Sequence, residues 1–317
     1  RQGIVHVIPP ELGIVLPGLT LVCPDSHTCT QGAFGALAWG IGSSEAEHAL
    51  ATGTLRVKRP GTMRVTFDGA LPVGCSAKDM ALALMARYGA DGGRRCAIEF
   101  AGPAVQALSI EGRQTLCNMA VEFSAWGAVM APDDTVFNAL RGKAFAPQGL
   151  AWERAVSNWR TLRTDARAHF DHELSLDVSQ LVPQVSWGTS PGHSTGVDGR
   201  VPAPLDESQA QAQAYMGVSP GQLLAGLPIQ AAFIGSCTNA RLADLREAAA
   251  LLKGRRVAPG VKALCVPGST AVKRAAEAEG LHRVFIEAGF EWRESGCSLC
   301  FHAGGERFEP QWRVVSS

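Results

Sequence analysis

Short apolar runs, bounded by glycine, proline or polar turn residues, alternate with longer stretches of helical periodicity along the chain. Such alternation is typical of α/β proteins, in which helices connect parallel strands and cover the faces of a sheet. The apolar runs predict strands at Thr20–Cys23, Thr62–Asp68, Ala97–Phe100, Ala231–Ile234 and Lys262–Val266, and a terminal β segment at Val314–Ser317. We therefore expect an α/β fold with mainly parallel sheets.

The helical stretches and one irregular segment indicate how the chain is divided. Helices are predicted over Ala33–Thr52, Ser76–Tyr88, Glu111–Trp126 and Thr270–Glu279, and from the turn at Gly235–Asn239 through Leu252. The segment Trp187–Pro228 is rich in glycine, proline, serine and glutamine, which is typical of an interdomain connection. We expect three α/β domains in the 317 residues, at 1–60, 61–200 and 201–317, with the third incomplete.

The charge balance excludes several classes of partner. Lysine plus arginine equals aspartate plus glutamate at 29 each, so no global field attracts nucleic acid or an anionic membrane surface. No apolar run has the roughly 18–20 residues of a membrane span, and we expect no secretory leader. Nine cysteines in such a chain favour reduced thiols over a disulfide framework. We expect a cytoplasmic protein that binds neither nucleic acid nor membrane.

Three of the cysteines stand at positions that suit metal ligands. Cys237 lies in a turn between a predicted strand and a predicted helix, where exposed backbone N–H groups favour a thiolate. Cys297 and Cys300 form a C-x-x-C pair, which can reach two irons of one cluster, although zinc sites and redox dithiols use this spacing too. Three ligands on a four-iron cluster would leave one iron open for Lewis-acid chemistry. The residues alone leave a cluster, a zinc site and a structural role open.

The remaining cysteines are interpreted as part of the core, because they lie in apolar or closely packed patterns: Cys23, Cys29, Cys75, Cys96, Cys117 and Cys265.

Candidate acid and base groups follow the first strand. Asp25 and His27 lie in a turn at its carboxyl end, where α/β proteins place active groups, although Asp25 in such a turn also caps backbone N–H groups. Asn118 and Glu122 stand four residues apart on one predicted helix face. They suit either the orientation of an imidazole or a partly exposed helix surface. His6 is a lone histidine by its surroundings in the sequence.

Four motifs occur in one order along the chain: DSHT at Asp25–Thr28, CNMAVE at Cys117–Glu122, GSCTNARLADLREAA at Gly235–Ala249 and ESGCSLC at Glu294–Cys300. Together they resemble the aconitase superfamily, and similar stretches extend over nearly the whole chain, including Gly3–Val7, Asp25–Gly42, Val257–Val261 and Phe285–Arg293. The resemblance implies aconitase-like three-layer α/β/α domains with mainly parallel sheets around a central iron–sulfur site.

The resemblance also implies a cofactor and its ligands. Cys237, Cys297 and Cys300 correspond to the three ligands of the family's [4Fe-4S] cluster. Asn118 and Asn239 lie in or beside motif positions near that cluster, so we expect them to be cofactor-binding residues.

The catalytic residues implied by the resemblance are two acid/base pairs. His6 and Asp25 fall on one pair. His27 and Glu122 fall on the other, which in the family handles water and the substrate hydroxyl.

The activity implied is that of a hydro-lyase subunit that isomerises 2-isopropylmalate to 3-isopropylmalate through 2-isopropylmaleate, in leucine biosynthesis. Related dehydratases of citraconate, methylmalate or homoaconitate type are alternatives, and so is an inactive truncated form. Split members of the family have a separate small subunit with a swivelling domain. We therefore expect that partner and a small hydroxy-dicarboxylic acid substrate. Nucleic-acid binding by a cluster-free relative is disfavoured, because it needs a basic surface.

Some family segments are expected outside this sequence. An Asp-His dyad belongs before Arg1, and an arginine-containing segment belongs after Ser317, so we expect a chain truncated at both ends. The segment Phe301–Glu306 also departs from the polar, asparagine-containing sequence that is usual in the family, so we expect different surroundings for the cluster there.

Overall fold

A computed structural model describes residues 2–301 and 307–317 of the chain. The chain forms two compact units. The cysteine unit comprises Arg1–Glu11 and Leu227–Ser317, and the central unit comprises Leu12–Gly226. The short helix α1 (Ile8–Leu12) lies where the chain passes from the cysteine unit into the central unit. None of the described helices has the length and apolar composition that crossing a bilayer requires.

The central unit contains eight named strands and seven named α-helices. The strands are β1 (Thr20–Cys23), β2 (Leu37–Gly40), β3 (Thr62–Asp68), β4 (Ala97–Ala101), β5 (Gly127–Val129), β6 (His172–Asp177), β7 (Gln184–Ser186) and β8 (Ser194–Gly196). The helices are α2 (Ser43–Thr52), α3 (Ala77–Tyr88), α4 (Pro103–Gln106), α5 (Ile110–Asn118), α6 (Asp134–Leu140), α7 (Gly149–Trp159) and α8 (Glu207–Met216). Two 3₁₀ helices lie at Ser26–Phe34 and Val121–Phe123.

Parallel pairing organises the central unit. Its four-stranded sheet has the order β5-β4-β3-β6, and β1 pairs with β2, all in parallel. The strands β7 and β8 pair antiparallel. Alternate residues of β3, namely Met63, Val65 and Phe67, are buried, as expected for a strand with one face on the core. Helix α3 packs Met80 and Leu84 into the same core.

The cysteine unit is built around a second parallel sheet. Its strands are β9 (Ala231–Ile234), β10 (Lys262–Cys265), β11 (Phe290–Trp292) and β12 (Val314–Ser316), in the order β11-β10-β9-β12. Its further helices are α9 (Leu242–Leu252), α10 (Thr270–Ala278) and α11 (Leu281–Ala288), with a 3₁₀ helix at Ser298–Cys300. Leu245, Phe285 and Cys265 belong to its apolar core.

The predicted α/β class with mainly parallel sheets is confirmed. The strands predicted at Thr20–Cys23, Thr62–Asp68 and Ala231–Ile234 have these same limits in the structure. The predicted strands at Ala97–Phe100 and Lys262–Val266 differ by one residue at their ends. Short apolar runs flanked by turn residues therefore located these strands, whereas β2, β5, β6 and β11 were not predicted.

The two units differ from the predicted division at 1–60, 61–200 and 201–317. The N-terminal segment belongs to the cysteine unit, where the Ile4 amide donates to the Gly268 carbonyl at 2.8 Å. Phe34 shares one core with Met63 and Val65, across the predicted boundary at residue 60. Long-range contacts of this kind leave no trace in local composition. A finer division of the central unit stays a prediction.

Two predicted helices are corrected by the structure. The stretch Ala33–Thr52 is the end of a 3₁₀ helix, then strand β2, and only then helix α2. The stretch Glu111–Trp126 is helix α5, which ends at Asn118, followed by the 3₁₀ helix at Val121–Phe123. Ser124 has a positive φ of 62°, a left-handed conformation that an α-helix does not contain. Asn118 and Glu122 therefore do not share the face of one α-helix.

Candidate functional site

The turn that follows β1 is organised by Asp25. Its Oδ1 accepts a hydrogen bond from the His27 amide at 2.8 Å, and its carbonyl accepts from Thr28 Oγ1 at 2.7 Å. Asp25 is extended (φ −148°, ψ 132°) and caps the 3₁₀ helix that begins at Ser26. The capping role considered for this aspartate is thus present. The same cap fixes the backbone from which the His27 side chain projects.

His27 and Glu122 are in direct contact. His27 Nε2 lies 3.2 Å from Glu122 Oε1, and the two side chains are 23% and 41% exposed. The hydrogen bond with His27 is the main reason that the Glu122 pKa lies below its usual value; burial opposes this effect, and the imidazole charge adds to it. An imidazole beside a carboxylate at the carboxyl end of a strand can accept and release protons.

Two further hydroxyls join this group, and the sequence reasoning missed both. Ser26 Oγ lies 3.3 Å from His27 Nδ1. Thr30 Oγ1 lies 2.6 Å from the His27 carbonyl and accepts from Asn118 Nδ2 at 2.8 Å. Thr30 and Asn118 are both fully buried. Asn118 thus holds the turn through Thr30, on its buried side. The sequence signal for the two hydroxyls was a serine and a threonine inside a histidine-containing turn.

A glycine lets the backbone come close to this turn. A Cβ atom at Gly40 would lie 2.6 Å from the Asp25 carbonyl oxygen and 2.9 Å from Ser26 Cα. Contacts below about 3 Å to backbone atoms cannot be relieved by a side-chain movement, so only glycine fits here. Gly40 ends β2, and its backbone packs against the candidate acid/base turn.

The three candidate ligand cysteines follow two strands of one parallel sheet. Cys237 lies after β9 and Cys297 and Cys300 lie after β11, and β10 separates these two strands. The carboxyl ends of parallel strands meet at one edge of a sheet, so both loops leave the sheet on the same side. Each loop contains a non-glycine residue at positive φ, Ser236 (68°) and Ser298 (47°).

The three candidate ligand cysteines differ in exposure. Cys237 is 8% exposed in the core of the cysteine unit, and Cys297 packs against that core. Cys300 is exposed. Within residues 2–301 and 307–317, no three His, Cys, Asp or Glu side chains are grouped so as to hold a metal ion. A four-iron cluster makes a different demand, because each thiolate binds its own iron. The ligand set stays a prediction, with thiolate chemistry and a shared sheet edge in its favour.

Of the six cysteines interpreted as core, Cys29, Cys96, Cys117 and Cys265 are buried, whereas Cys23 and Cys75 are only partly buried. Burial raises the pKa of Cys23, Cys75, Cys96, Cys117 and Cys265 above the usual thiol value. A thiol with a raised pKa stays protonated and is a poor metal ligand. Cys29 is buried beside the Asn118 carbonyl, with its Sγ at 3.8 Å.

The remaining predicted site residues belong to the cysteine unit. His6 is 2% exposed, and its neighbours Ile4 and Val7 pack into the same core as Cys237. Asn239, two residues after Cys237, donates from Nδ2 to Asp244 Oδ1 at 3.4 Å. Because His6 and Asp25 lie in different units, their pairing stays a prediction. Of the segment predicted to have unusual surroundings, residues 302–306 lie outside the described residues.

Comparison with known proteins shows which proteins this chain resembles. A family model described as "Aconitase family (aconitate hydratase)" matches residues 1–317. The "3-isopropylmalate dehydratase large subunit 1" of Bradyrhizobium diazoefficiens is 56% identical over 323 aligned residues, which cover 100% of this chain and 68% of that protein. The crystal structure of Thermococcus kodakaraensis aconitase X in its holo-form aligns with a TM-score of 0.47 and 13% identity, covering 93% of this chain. The chain spans 61% of that crystallised protein.

Proposed function

The chain belongs to the aconitase family, and we propose that it is the cluster-binding large subunit of a hydro-lyase in leucine biosynthesis. The proposed reaction isomerises 2-isopropylmalate to 3-isopropylmalate through 2-isopropylmaleate. The observation that carries the proposal is the 56% identity to a 3-isopropylmalate dehydratase large subunit across the whole chain. Because the chain spans 68% of that relative, the reaction, substrate and partner of the whole protein are part of the proposal.

The contact between His27 and Glu122 supports the proposal from the structure. Dehydration requires a group that protonates the leaving hydroxyl, and rehydration requires a group that takes a proton from water. His27 Nε2 and Glu122 Oε1, 3.2 Å apart, can share one proton between them. The lowered pKa of Glu122 keeps its carboxylate ionised near neutral pH, and the ionised carboxylate can orient the His27 imidazole and stabilise it when it holds a proton.

We assign the second acid/base pair to His6 and Asp25, following the family. Asp25 already orients the turn through its bond to the His27 amide. In this assignment its carboxylate also helps to remove the proton next to a substrate carboxylate, with His6 as its partner.

Cys237, Cys297 and Cys300 would hold a [4Fe-4S] cluster, which when bound supplies a Lewis acid for the substrate hydroxyl. Asn118 and Asn239 are proposed to lie near it. For Asn118 the buried bond to Thr30 supports a role in orienting the turn that carries His27.

The partner in this proposal is a small subunit with the swivelling domain, and the substrate is a small hydroxy-dicarboxylic acid. The "large subunit" in the name of the curated relative supports the first of these. We place the complex in the cytoplasm, since free cysteines and iron–sulfur clusters persist in a reducing compartment.

The proposal is tested by assaying the full-length protein with its small subunit under anaerobic conditions. Ultraviolet absorbance of the conjugated enoate is followed with 2-isopropylmalate and, separately, with citramalate. We expect turnover of 2-isopropylmalate. Turnover of citramalate without any signal from 2-isopropylmalate would replace the substrate by one of the citraconate or methylmalate type, and turnover of neither would reject the hydro-lyase assignment.

A variant pair ties this activity to the predicted acid/base group. Glu122→Gln keeps the shape of the side chain but removes the carboxylate that accepts a proton, so we expect a loss of about 10²-fold in kcat. The matched control is Glu111→Gln, which makes the same substitution in the first turn of α5. Equal activity of both variants would remove Glu122 from the reaction.

A further inference from the structure

Residues 2–11 form a segment of the cysteine unit that connects several of its loops, and we call this segment the N-terminal clamp. Its Ile4 amide donates to the Gly268 carbonyl at 2.8 Å, and the Gly268 amide donates to the Ala240 carbonyl at 2.8 Å. Ala240 lies three residues after Cys237. Two consecutive backbone hydrogen bonds therefore join the clamp to the first cysteine loop.

The clamp also reaches the second cysteine loop. Gln2 Nε2 donates to the Ser295 carbonyl at 3.3 Å, two residues before Cys297. The Gln2 carbonyl accepts from the Thr270 amide and from Thr270 Oγ1, both at 2.9 Å. The start of α10 thus holds the backbone of Gln2, while the Gln2 side chain contacts the second loop. One short segment contacts both loops that carry the candidate ligands.

The far end of the clamp is anchored by Glu11. Ser269 Oγ lies 2.7 Å and 2.9 Å from the two carboxylate oxygens of Glu11. Ser269 is 1% exposed and caps α10 by accepting from the Val272 amide at 3.0 Å. A hydrogen bond to a carboxylate is stronger than one between neutral groups. Glu11 therefore ties the end of the clamp to a rigid helix start.

The fit between the clamp and this helix start is close. A Cβ atom at Gly3 would lie 2.6 Å from Ser269 Cα and 2.7 Å from the Gly268 carbonyl oxygen, and Gly3 has a φ of +151°. No L side chain fits there without moving one backbone away from the other. Gly3 and Glu11 thus hold the two ends of the clamp against the same connection after β10.

We propose that the N-terminal clamp holds the two cysteine loops at a fixed separation, and that Glu11 is a positioning residue for the iron–sulfur cluster. The inference rests on the proposed function, because it needs Cys237 and Cys297 to bind one cluster. A cluster is retained when its ligands are pre-positioned, since hydrogen bonds around the ligands orient them and support metal affinity. Loosening the clamp lets the two loops separate, so the cluster is lost faster.

The test uses the full-length protein with its small subunit, reconstituted anaerobically with iron and sulfide. Three quantities are measured: iron and acid-labile sulfide content, the rate at which cluster absorbance decays with an iron chelator, and the urea midpoint of the cluster-free protein. The variants are Glu11→Ala, Gly3→Ala and the milder Glu11→Asp, which keeps the charge but shortens its reach. Glu11→Gln keeps an oxygen that can accept from Ser269, and Glu279→Ala, which breaks an exposed ion pair with Arg246 in the same unit, is the control.

We expect Glu11→Ala and Gly3→Ala to lose the cluster about tenfold faster than the unmodified protein, a factor that corresponds to about 1.4 kcal/mol. Glu11→Asp and Glu11→Gln should each show a smaller acceleration, while Glu279→Ala should decay at the unmodified rate. If Glu11→Ala does not fold, the comparison of Glu11→Asp and Glu11→Gln with Glu279→Ala decides. Decay at the unmodified rate in every folded Glu11 and Gly3 variant overturns the inference. An unmodified complex that binds no iron and sulfide overturns the proposed function itself.

Discussion

The acid/base turn of the central unit and the cysteine loops of the cysteine unit are ordered by different means. In the turn, side chains bond to the backbone and to one another, as Asp25 does with the His27 amide and Asn118 with Thr30. In the loops, the backbone itself is constrained, with Ser236 and Ser298 at positive φ. Such conformations cost on the order of 1–3 kcal/mol each for non-glycine residues.

The difference indicates which region depends on a cofactor. In the turn, Asp25, Thr30 and Asn118 have protein partners, so the geometry that these bonds fix is present before anything binds. The loops hold a strained backbone next to thiols, and ligand binding to the folded state is what would offset that strain. We therefore expect the acid/base turn to be insensitive to cluster loss and the cysteine loops to be strongly sensitive to it.

The largest effect is expected from Cys237→Ser. Loss of one of three thiolate ligands should prevent retention of the cluster, and losing several kcal/mol of transition-state stabilisation lowers kcat by about 10³-fold or more. Iron and sulfide analysis measures the first effect, and enoate formation measures the second. Cys265→Ala, which removes a buried thiol from the neighbouring strand β10, is the matched control and should keep its iron. A full iron content in Cys237→Ser would mean that Cys237 is not needed to retain the cluster, and the expected difference between the two regions would be wrong.

A large loss of stability is expected from Asp133→Ala in the central unit. Asp133 accepts two hydrogen bonds from Arg113 at 2.7 Å each, and Arg113 is 2% exposed. Removing the carboxylate leaves a buried guanidinium without its ionic partner, which costs about 2–3 kcal/mol, because Asp133 is 42% exposed and Arg113 still donates to the Gln106 carbonyl. It also removes the cap of α6, where Asp133 accepts from the Thr135 amide. Urea unfolding measures the loss.

The neighbouring residue provides the control for that change. Asp134 pairs with Arg160 on the surface, where their side chains are 72% and 55% exposed. Removal of an exposed ion pair typically costs less than about 1 kcal/mol, so Asp134→Ala should unfold near the unmodified midpoint. Iron content per folded protein should stay unchanged in both variants. Loss of iron in Asp133→Ala alone would mean that cluster retention depends on the framework of the central unit.

The sequence predicted β1, β3, β4, β9, β10 and β12, because each is a short run with apolar residues that local pattern reveals, but it did not predict β2, β5, β6 or β11. The limits of β9 and the end of α9 at Leu252 matched the structure, whereas α9 begins later than predicted, at Leu242. The helix predicted at Ala33–Thr52 was wrong, because its small residues make a contact that is distant in sequence. At Gly40 only glycine leaves room for the backbone at Asp25. A run of small residues is compatible both with close helix packing and with the end of a strand, so the sequence pattern does not distinguish them.

The candidate site was predictable only in part for a similar reason. Asp25 and His27 could be singled out by their place after a strand, and the cysteines by their spacing. The contact of His27 with Glu122 joins residues 95 positions apart, and spacing along the chain carries no signal of it; the family resemblance supplied that pair. Thr30 was missed because a threonine in a histidine-containing turn is a weak signal by itself, and its bond with Asn118 joins residues 88 positions apart.

A smaller effect is expected from Thr30→Val, which keeps the side-chain shape and removes the hydroxyl. Asn118 Nδ2 loses the acceptor that lies 2.8 Å away, and the His27 carbonyl loses a donor. The free energy of unfolding should fall by about 1–2 kcal/mol. The kcat of the folded protein should fall as well, because His27 is held less firmly. Thr52→Val, on the exposed helix α2, is the control. An unchanged kcat in a destabilised Thr30→Val protein would leave Thr30 as a packing residue only.

The smallest effect is the pH dependence that Glu122 gives to stability. Its pKa is lowered below the ordinary value of 4.5, chiefly by the hydrogen bond with His27. A carboxyl with a lowered pKa in the folded state contributes stability that is present above its unfolded pKa and disappears as the pH falls through the folded one. The contribution should stay below about 1 kcal/mol, because the side chain is 41% exposed to solvent.

The measurement compares urea midpoints with and without Glu122→Gln, both in a Cys237→Ser background so that release of an acid-labile cluster does not contribute. The stability gap attributable to ionised Glu122 should remain nearly constant from about pH 7 to about pH 5 and close as the pH falls below about 4. A gap that is already closed at about pH 5 would mean that the carboxylate is not stabilised by its neighbour. The acid/base turn would then lack the preformed contact that separates it from the cysteine loops, and both regions would depend on a bound group for their order.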